Sequence, residues 1–332
     1  GAPLDAALSP MAPFEMQVTL AQPRGFCAGV DRAIEIVERA LELYGTPVYV
    51  LHEIVHNRYV VDDLSSRGVV FVDDLDEIPA GSVTIYSAHG VSEAVVAKGL
   101  ERRLRVIDAT CPLVTKVHLQ AKRYRAEERE VILVGHPGHP EVEGTRGQID
   151  GKVHVLSTVE EVERLAVEDP AHLAYVTQTT LSVDDTAEIV QILKARFPAI
   201  AGPIKEDICY ATTNRQNAVK AIAKRVDCLI VVGSPRSSNS MRLVEVAERA
   251  GCRDAFLIER ASQIDWSRLM PPDREPLTRV GVTAGASAPE IIVEEVMDAF
   301  RTRYDVTVDV VTTAVEHVVF NVPRELRADV QG

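Results

Sequence analysis

The sequence has 332 residues, 46% of them hydrophobic, with 36 basic and 49 acidic side chains for a net charge of −13. That length exceeds what one core usually carries, and that hydrophobic share excludes global disorder. The acidic balance, spread without long blocks, argues against nucleic acid or an anionic membrane as partner, and no apolar run approaches the roughly 18 residues that span a bilayer.

Residues 1–15 carry Asp5 and Glu15 but no Lys or Arg. They lack the basic start of a signal peptide and read as a flexible tail on a cytoplasmic protein. A strand is expected at Val18–Ala21, leading to Cys27. A helix follows in which Ile34, Val37, Leu41 and Tyr44 share one face. A buried strand, Val48–Leu51, then ends in the polar loop HEIVHN, and VTIYSAHGVSEA supplies a second strand-to-helix turn.

The same order returns twice. Arg105–Asp108 leads to Cys111, Val131–Val134 ends in GHPGHPEVEG, and LAYVTQTTLSVDD closes the unit. Ile204–Ile208 is expected as the strand before Cys209, with Val219, Ile222 and Val226 on the following helix. Leu229–Val232 then ends in GSPRSSNS, and RVGVTAGASAPE closes the third unit. Cys27 to His56 is 29 residues, while Cys111 to His139 and Cys209 to Ser237 are 28 each. Alternating strands and helices predict an α/β fold of three pseudo-repeated lobes. Each lobe has a small, mainly parallel sheet flanked by helices, and the three surround a central cavity at the carboxyl ends of the strands. The expected boundaries are 16–110 (Cys27, His56, His89), 111–208 (Cys111, His139, Glu141, Thr179) and 209–323 (Cys209, Ser237, Asn239, Ser287), with a tail over 324–332.

Five cysteines without a CxxC support neither a disulfide framework nor a zinc ribbon. Cys27, Cys111 and Cys209 each precede a helix, whose N-terminus stabilises a thiolate. Three such thiolates suit an iron–sulfur cluster with one iron lacking a protein ligand, or a zinc ion with a bound water. Buried packing residues are the third reading. Cys228 and Cys252 have no repeat equivalents and are read as packing.

His56, His89 and His139 fall in register at strand-end loops, where imidazoles can bind phosphate. His52, His118, His136, His154, His172 and His317 fit no such register. Thr179, Thr180, Ser237, Ser238, Asn239 and Ser287 offer neutral donors that can cradle a diphosphate, or simply cap helices. Glu141 could donate a proton if desolvated. Neither a Walker A motif nor GxGxxG occurs, so a nucleotide cofactor has no support.

PRGFCAGVDRAIE, EIVHN, YSAHGVS, DATCPLVTKVH, GHPEVEGTRGQ, VTQTTLSVDDT, DICYATTNRQ, GSPRSSNS and TAGASAPE occur in that order. Together they closely resemble the 4-hydroxy-3-methylbut-2-enyl diphosphate reductase family, from about Met16 to Pro323. That resemblance implies a [4Fe–4S] cluster held by Cys27, Cys111 and Cys209, with one iron open to substrate. It implies a substrate cavity lined by His56, His89, His139, Thr180, Ser237, Ser238, Asn239 and Ser287, mostly around the diphosphate. Glu141 and Thr179 would handle the hydroxyl and its protons. Reduced ferredoxin or flavodoxin would supply electrons; Arg102, Arg103, Arg105, Lys122, Arg123 and Arg125 are candidates for its docking, with an ordinary solvated face as the other reading. Pro137, Pro235–Arg236 and Met241 depart from the family pattern. A non-catalytic sensor of a phosphorylated metabolite is the rival class; Glu141 beside His139 speaks against it.

Overall fold

The computed structural model describes residues 14–327. Most of the expected N-terminal tail, and residues 328–332 of the C-terminal one, lie outside the described residues. The strands are β1 (Glu15–Gln22), β2 (Val48–Leu51), β3 (Val69–Val72), β4 (Val83–Tyr86), β5 (Arg105–Asp108), β6 (Glu130–Val134), β7 (Val153–Leu156), β8 (Leu173–Thr177), β9 (Cys228–Val232), β10 (Ala255–Ile258), β11 (Arg279–Ala284) and β12 (Asp305–Thr312). They form three sheets, ordered β3-β2-β4-β5, β7-β6-β8 and β10-β9-β11-β1-β12. Every pairing between these strands is parallel.

Parallel sheets need covers on both faces, so their central strands are apolar throughout. All five residues of β9 are buried, as are Val131–Val134 of β6. Separate cores result. Ile36, Val37, Val50 and Ile85 anchor one. Ile132, Val134, Leu173 and Leu193 anchor another. Met16, Val18, Ile230, Val282 and Phe300 anchor a third. The fold is therefore α/β with three small parallel sheets flanked by helices. No helix among the described residues is long and apolar enough to cross a membrane.

Two local expectations change. Residues Ile204–Ile208 form no strand. Ala201 makes one isolated bridge to Ala174, then Pro203, which lacks an N–H, cannot extend the ladder, and Ile204 is 97% exposed. Strand β1, placed by its sequence position at the head of the first lobe, pairs instead with β11 and β12 in the third sheet. At the other end, the described part of the expected tail is anchored. Val322 and Leu326 are buried in the first lobe's core, and Arg39 donates to the Leu326 carbonyl at 3.1 Å.

Candidate active site

Each sheet ends in strand-to-helix turns, and these turns hold the chemically useful side chains. Cys27, Cys111 and Cys209 are the N-cap residues of the helices Ala28–Tyr44, Pro112–Ala126 and Tyr210–Ile222. Pro112 sits where a helix has no use for an N–H, and Thr212 N donates to the Cys209 sulfur at 3.4 Å. His139 caps the helix Pro140–Arg146 and Ser237 caps Ser238–Arg249 in the same way. The repeat thus places each lobe's functional groups at one end of its sheet. Every site residue expected from the sequence lines a single pocket: the three cysteines, the three histidines, Glu141, Thr179 and Thr180, and the Ser237, Ser238, Asn239 and Ser287 group.

The sulfurs of Cys27 and Cys111 flank Gly29. A Cβ there would stand 2.7 Å from the Cys111 sulfur and 3.9 Å from that of Cys27, so only glycine leaves the space beside them open. Burial pushes the thiols up, to about 12 for Cys111 and about 11 for Cys209, so without a positive partner they stay protonated. Among the described residues no three His, Cys, Asp or Glu side chains approach closely enough to share one metal ion.

The histidine rings converge. His56 and His89 lie 4.1 Å apart, and each lies 5.8 Å from His139. His139 Nδ1 accepts the Glu141 N–H at 3.1 Å, which leaves its proton on Nε2. His56 Nδ1 lies 3.3 Å from Glu53, while its Nε2 is buried with no protein partner. Burial, aided by the neighbouring imidazoles, lowers His139 to about 4 and His89 well below its ordinary value. Neutral imidazoles are therefore stored where an anion would charge them. Loops of the third lobe close on this group. Ser287 Oγ donates to the His56 carbonyl at 3.1 Å, Ser238 Oγ to the Thr180 carbonyl at 3.1 Å, and Asn239 Oδ1 accepts the Ala286 N–H at 2.8 Å.

Glu141 is 4% exposed. Its Oε1 accepts the Thr179 N–H at 2.7 Å and its Oε2 accepts the Thr179 hydroxyl at 3.0 Å. Burial raises its carboxyl to about 7, and the Thr179 donors restrain the rise. A carboxyl poised there can exist in either protonation state at neutral pH.

Cys228 and Cys252 are buried in the third lobe's packing, away from this pocket. His118 is also buried, wedged beneath Gly90 in the His89 loop. Half of the basic stretch offered for donor docking is paired with carboxylates: Arg102 with Asp76, Lys122 with Glu93 and Arg125 with Asp150. Sequence reasoning missed Glu53, Arg215 and Glu316. Glu53 and Arg215 sit inside quoted motifs, but ordinary loop and helix composition gave no reason to single them out. Arg236 was noted only as a departure.

A profile of the LytB protein family matches residues 18–301. A Ruegeria pomeroyi protein named 4-hydroxy-3-methylbut-2-enyl diphosphate reductase is 60% identical over 309 residues, 93% of this chain and 96% of its own. A Rhodopseudomonas palustris protein, named 4-hydroxy-3-methylbut-2-enyl diphosphate reductase 2, is 56% identical over 321 residues, 96% of this chain and 99% of its own. The solved structure of the E-1-hydroxy-2-methyl-but-2-enyl-4-diphosphate reductase from Plasmodium falciparum superimposes with a TM-score of 0.87 at 37% identity, covering 95% of this chain and 97% of that one. Identity of this extent, with the fold matched over nearly the whole length, makes the chain a member of the LytB protein family.

Proposed function

We propose that this chain reductively removes the hydroxyl group of 4-hydroxy-3-methylbut-2-enyl diphosphate, yielding isopentenyl and dimethylallyl diphosphates. The observation that carries the reading is Glu141: a carboxyl raised to about 7 by burial and hydrogen-bonded by Thr179, in the pocket that gathers three thiols and three imidazoles. The balanced step takes two electrons and two protons and releases one water. Cys27, Cys111 and Cys209 would hold a [4Fe–4S] cluster; the open space beside Gly29 and the all-thiolate donor set fit that group. When bound, it supplies single electrons and a Lewis-acidic iron for the hydroxyl. Reduced ferredoxin or flavodoxin is the proposed source of those electrons, in the cytoplasm.

The protein's own residues do the rest. His56, His89, His139, Thr180, Ser237, Ser238, Asn239 and Ser287 bind and orient the diphosphate. Glu141 gives a proton to the departing hydroxyl, and Thr179 holds the carboxyl on that line. The second proton goes to either end of the allylic frame, which accounts for two products. Anaerobic assay with a chemical reductant, with product analysis, tests the reaction; iron-containing protein that consumes none of this substrate would overturn it.

Diphosphate binding should be coupled to protonation. His139 is neutral when free and an approaching anion raises its pKa, so binding takes up protons and strengthens as pH falls from 8 to 6. Calorimetry with inorganic diphosphate in buffers of different ionisation enthalpy, at pH 6, should count this uptake. His139→Gln should lower the count and weaken binding about tenfold or more. Equal uptake by both proteins would remove His139 from the site.

Admission of the anion should depend on Arg236. Among the described residues, the inner pocket has no Lys or Arg in its lining. A wider cavity shares His56 and His139 with it, and among its described lining residues Arg236 is the only Lys or Arg. Arg236 pairs with Glu53, the residue beside His56. Arg236→Ala should raise KM about threefold to tenfold at low salt, leave kcat unchanged, and flatten the salt dependence of kcat/KM. An unchanged salt dependence would show that Arg236 is only a surface charge.

A further inference from the structure

Among the described residues, the only fully buried cation in the cysteine region has no role in the chemistry above. Arg215 is 0% exposed, on the helix that Cys209 begins. Its Nε donates to the Gly25 carbonyl at 2.9 Å and its Nη2 to the Phe26 carbonyl at 3.2 Å, the two residues before Cys27. Its Nη1 donates to the Ala211 carbonyl at 3.1 Å, two residues after Cys209. The remaining edge meets Glu316 with both nitrogens, at 3.1–3.2 Å. Glu316 also accepts from Asn214 at 3.0 Å and belongs to the segment beyond β12. Tyr210 completes the grip, its hydroxyl accepting the Ala28 N–H at 3.0 Å.

We infer that Arg215, with Glu316 as its counter-charge, is a positioning residue that holds the Cys27 and Cys209 turns in one arrangement and sets the local charge at the metal group they carry. The inference rests on the cluster reading of the three cysteines. A guanidinium fork fits here because it has enough donors in one plane to bind two turns and a carboxylate together; the point charge of a lysine has not. Loading turns buried thiols into thiolates and reduction adds a further negative charge, so a fixed cation beside them favours both. Glu316 offsets that cation, and the balance between the two tunes the site. The segment beyond β12, which carries no motif of its own apart from this carboxylate, becomes part of the site.

The test uses the full chain, purified anaerobically. In Glu316→Gln the cation loses its counter-charge, and the cluster's reduction potential should rise. In Arg215→Met the cation is gone, and the potential should fall. Opposite signs are the signature, each a change of about tenfold in the reduced-to-oxidised ratio at fixed potential, about 59 mV for a one-electron couple. Arg215→Lys, which keeps the charge without the fork, should hold the potential nearer wild type yet release iron to a chelator about tenfold faster. A second readout needs no metal. In the cluster-free protein, hydrogen exchange at residues 24–28 and 313–318 should quicken together in Arg215→Met and Glu316→Gln, and not in a control such as Arg301→Met. Unshifted potentials together with unchanged exchange would overturn the inference. Wild-type protein that binds no cluster would instead overturn the functional reading, leaving the exchange result to judge the clamp alone. Should Arg215→Met fail to fold, Glu316→Gln carries both measurements.

Discussion

Glu141→Gln should keep its iron and bind substrate normally while turnover falls by about 10²-fold or more. Gln occupies the same volume and can still accept the Thr179 N–H at 2.7 Å and the hydroxyl at 3.0 Å through its one carbonyl oxygen, though not both at once. It cannot deliver a proton to a leaving hydroxyl. The pH profile makes the test sharper. With the carboxyl raised to about 7, its acid form prevails below that pH and is lost above it. Wild-type turnover should therefore decline through a basic limb near 7, and the Gln variant should lack that limb. Thr179→Val removes the hydroxyl that favours the carboxylate, so its limb should move to higher pH. A Gln variant with full iron and near-normal turnover would transfer the proton step elsewhere.

Replacing Cys27, Cys111 or Cys209 with Ser should abolish turnover, because a buried hydroxyl is a poor substitute for a thiolate toward iron. The brown absorbance of anaerobically prepared protein should fade with it, and Mössbauer spectra should lose the signal of a distinct iron. Cys228→Ala and Cys252→Ala provide the contrast. Both residues are buried, at 0% and 1% exposure, so each variant loses on the order of 1 kcal/mol of stability from packing. Colour and rate should remain. Cluster loss in either would show that the metal group is held elsewhere than at the three helix starts.

What the sequence made legible was whatever repeats. The three cysteines, the strand-end loops and the second strand of each unit all recur at matching offsets, and a period survives without knowledge of tertiary packing. The loop residues His56, His139 and Ser237 could be set in register for that reason. Pairing partners were less accessible. Strand β1 has the length and alternation of a first strand, yet nothing local says that it enters a sheet built mostly by residues 228–312. Ile204–Ile208 was expected as a strand from its place before Cys209, yet its centre is Lys205, Glu206 and Asp207, residue types that strands disfavour. Arg215 and Glu316 were invisible for a related cause. Their significance lies in a contact across 101 residues, while each taken alone resembles an ordinary helix or loop charge.

The position of β1 also governs when the protein can be completed. β1 lies between β11 and β12, pairing with β12 over Glu15–Gln22 against Asp305–Thr312. The turn that follows it is tied to the far end of the chain as well. Gly25 N donates to the Ala284 carbonyl at 3.0 Å and Cys27 N to the Ala286 carbonyl at 3.3 Å. During synthesis, the first strand therefore waits for residues translated almost 300 positions later, while the second lobe's sheet can close on its own nearby sequence. Cys27 is the first of the three cysteines to leave the ribosome and the last to be fixed in place. The proposed cluster would find its three thiols together only once β1 has taken its place between β11 and β12.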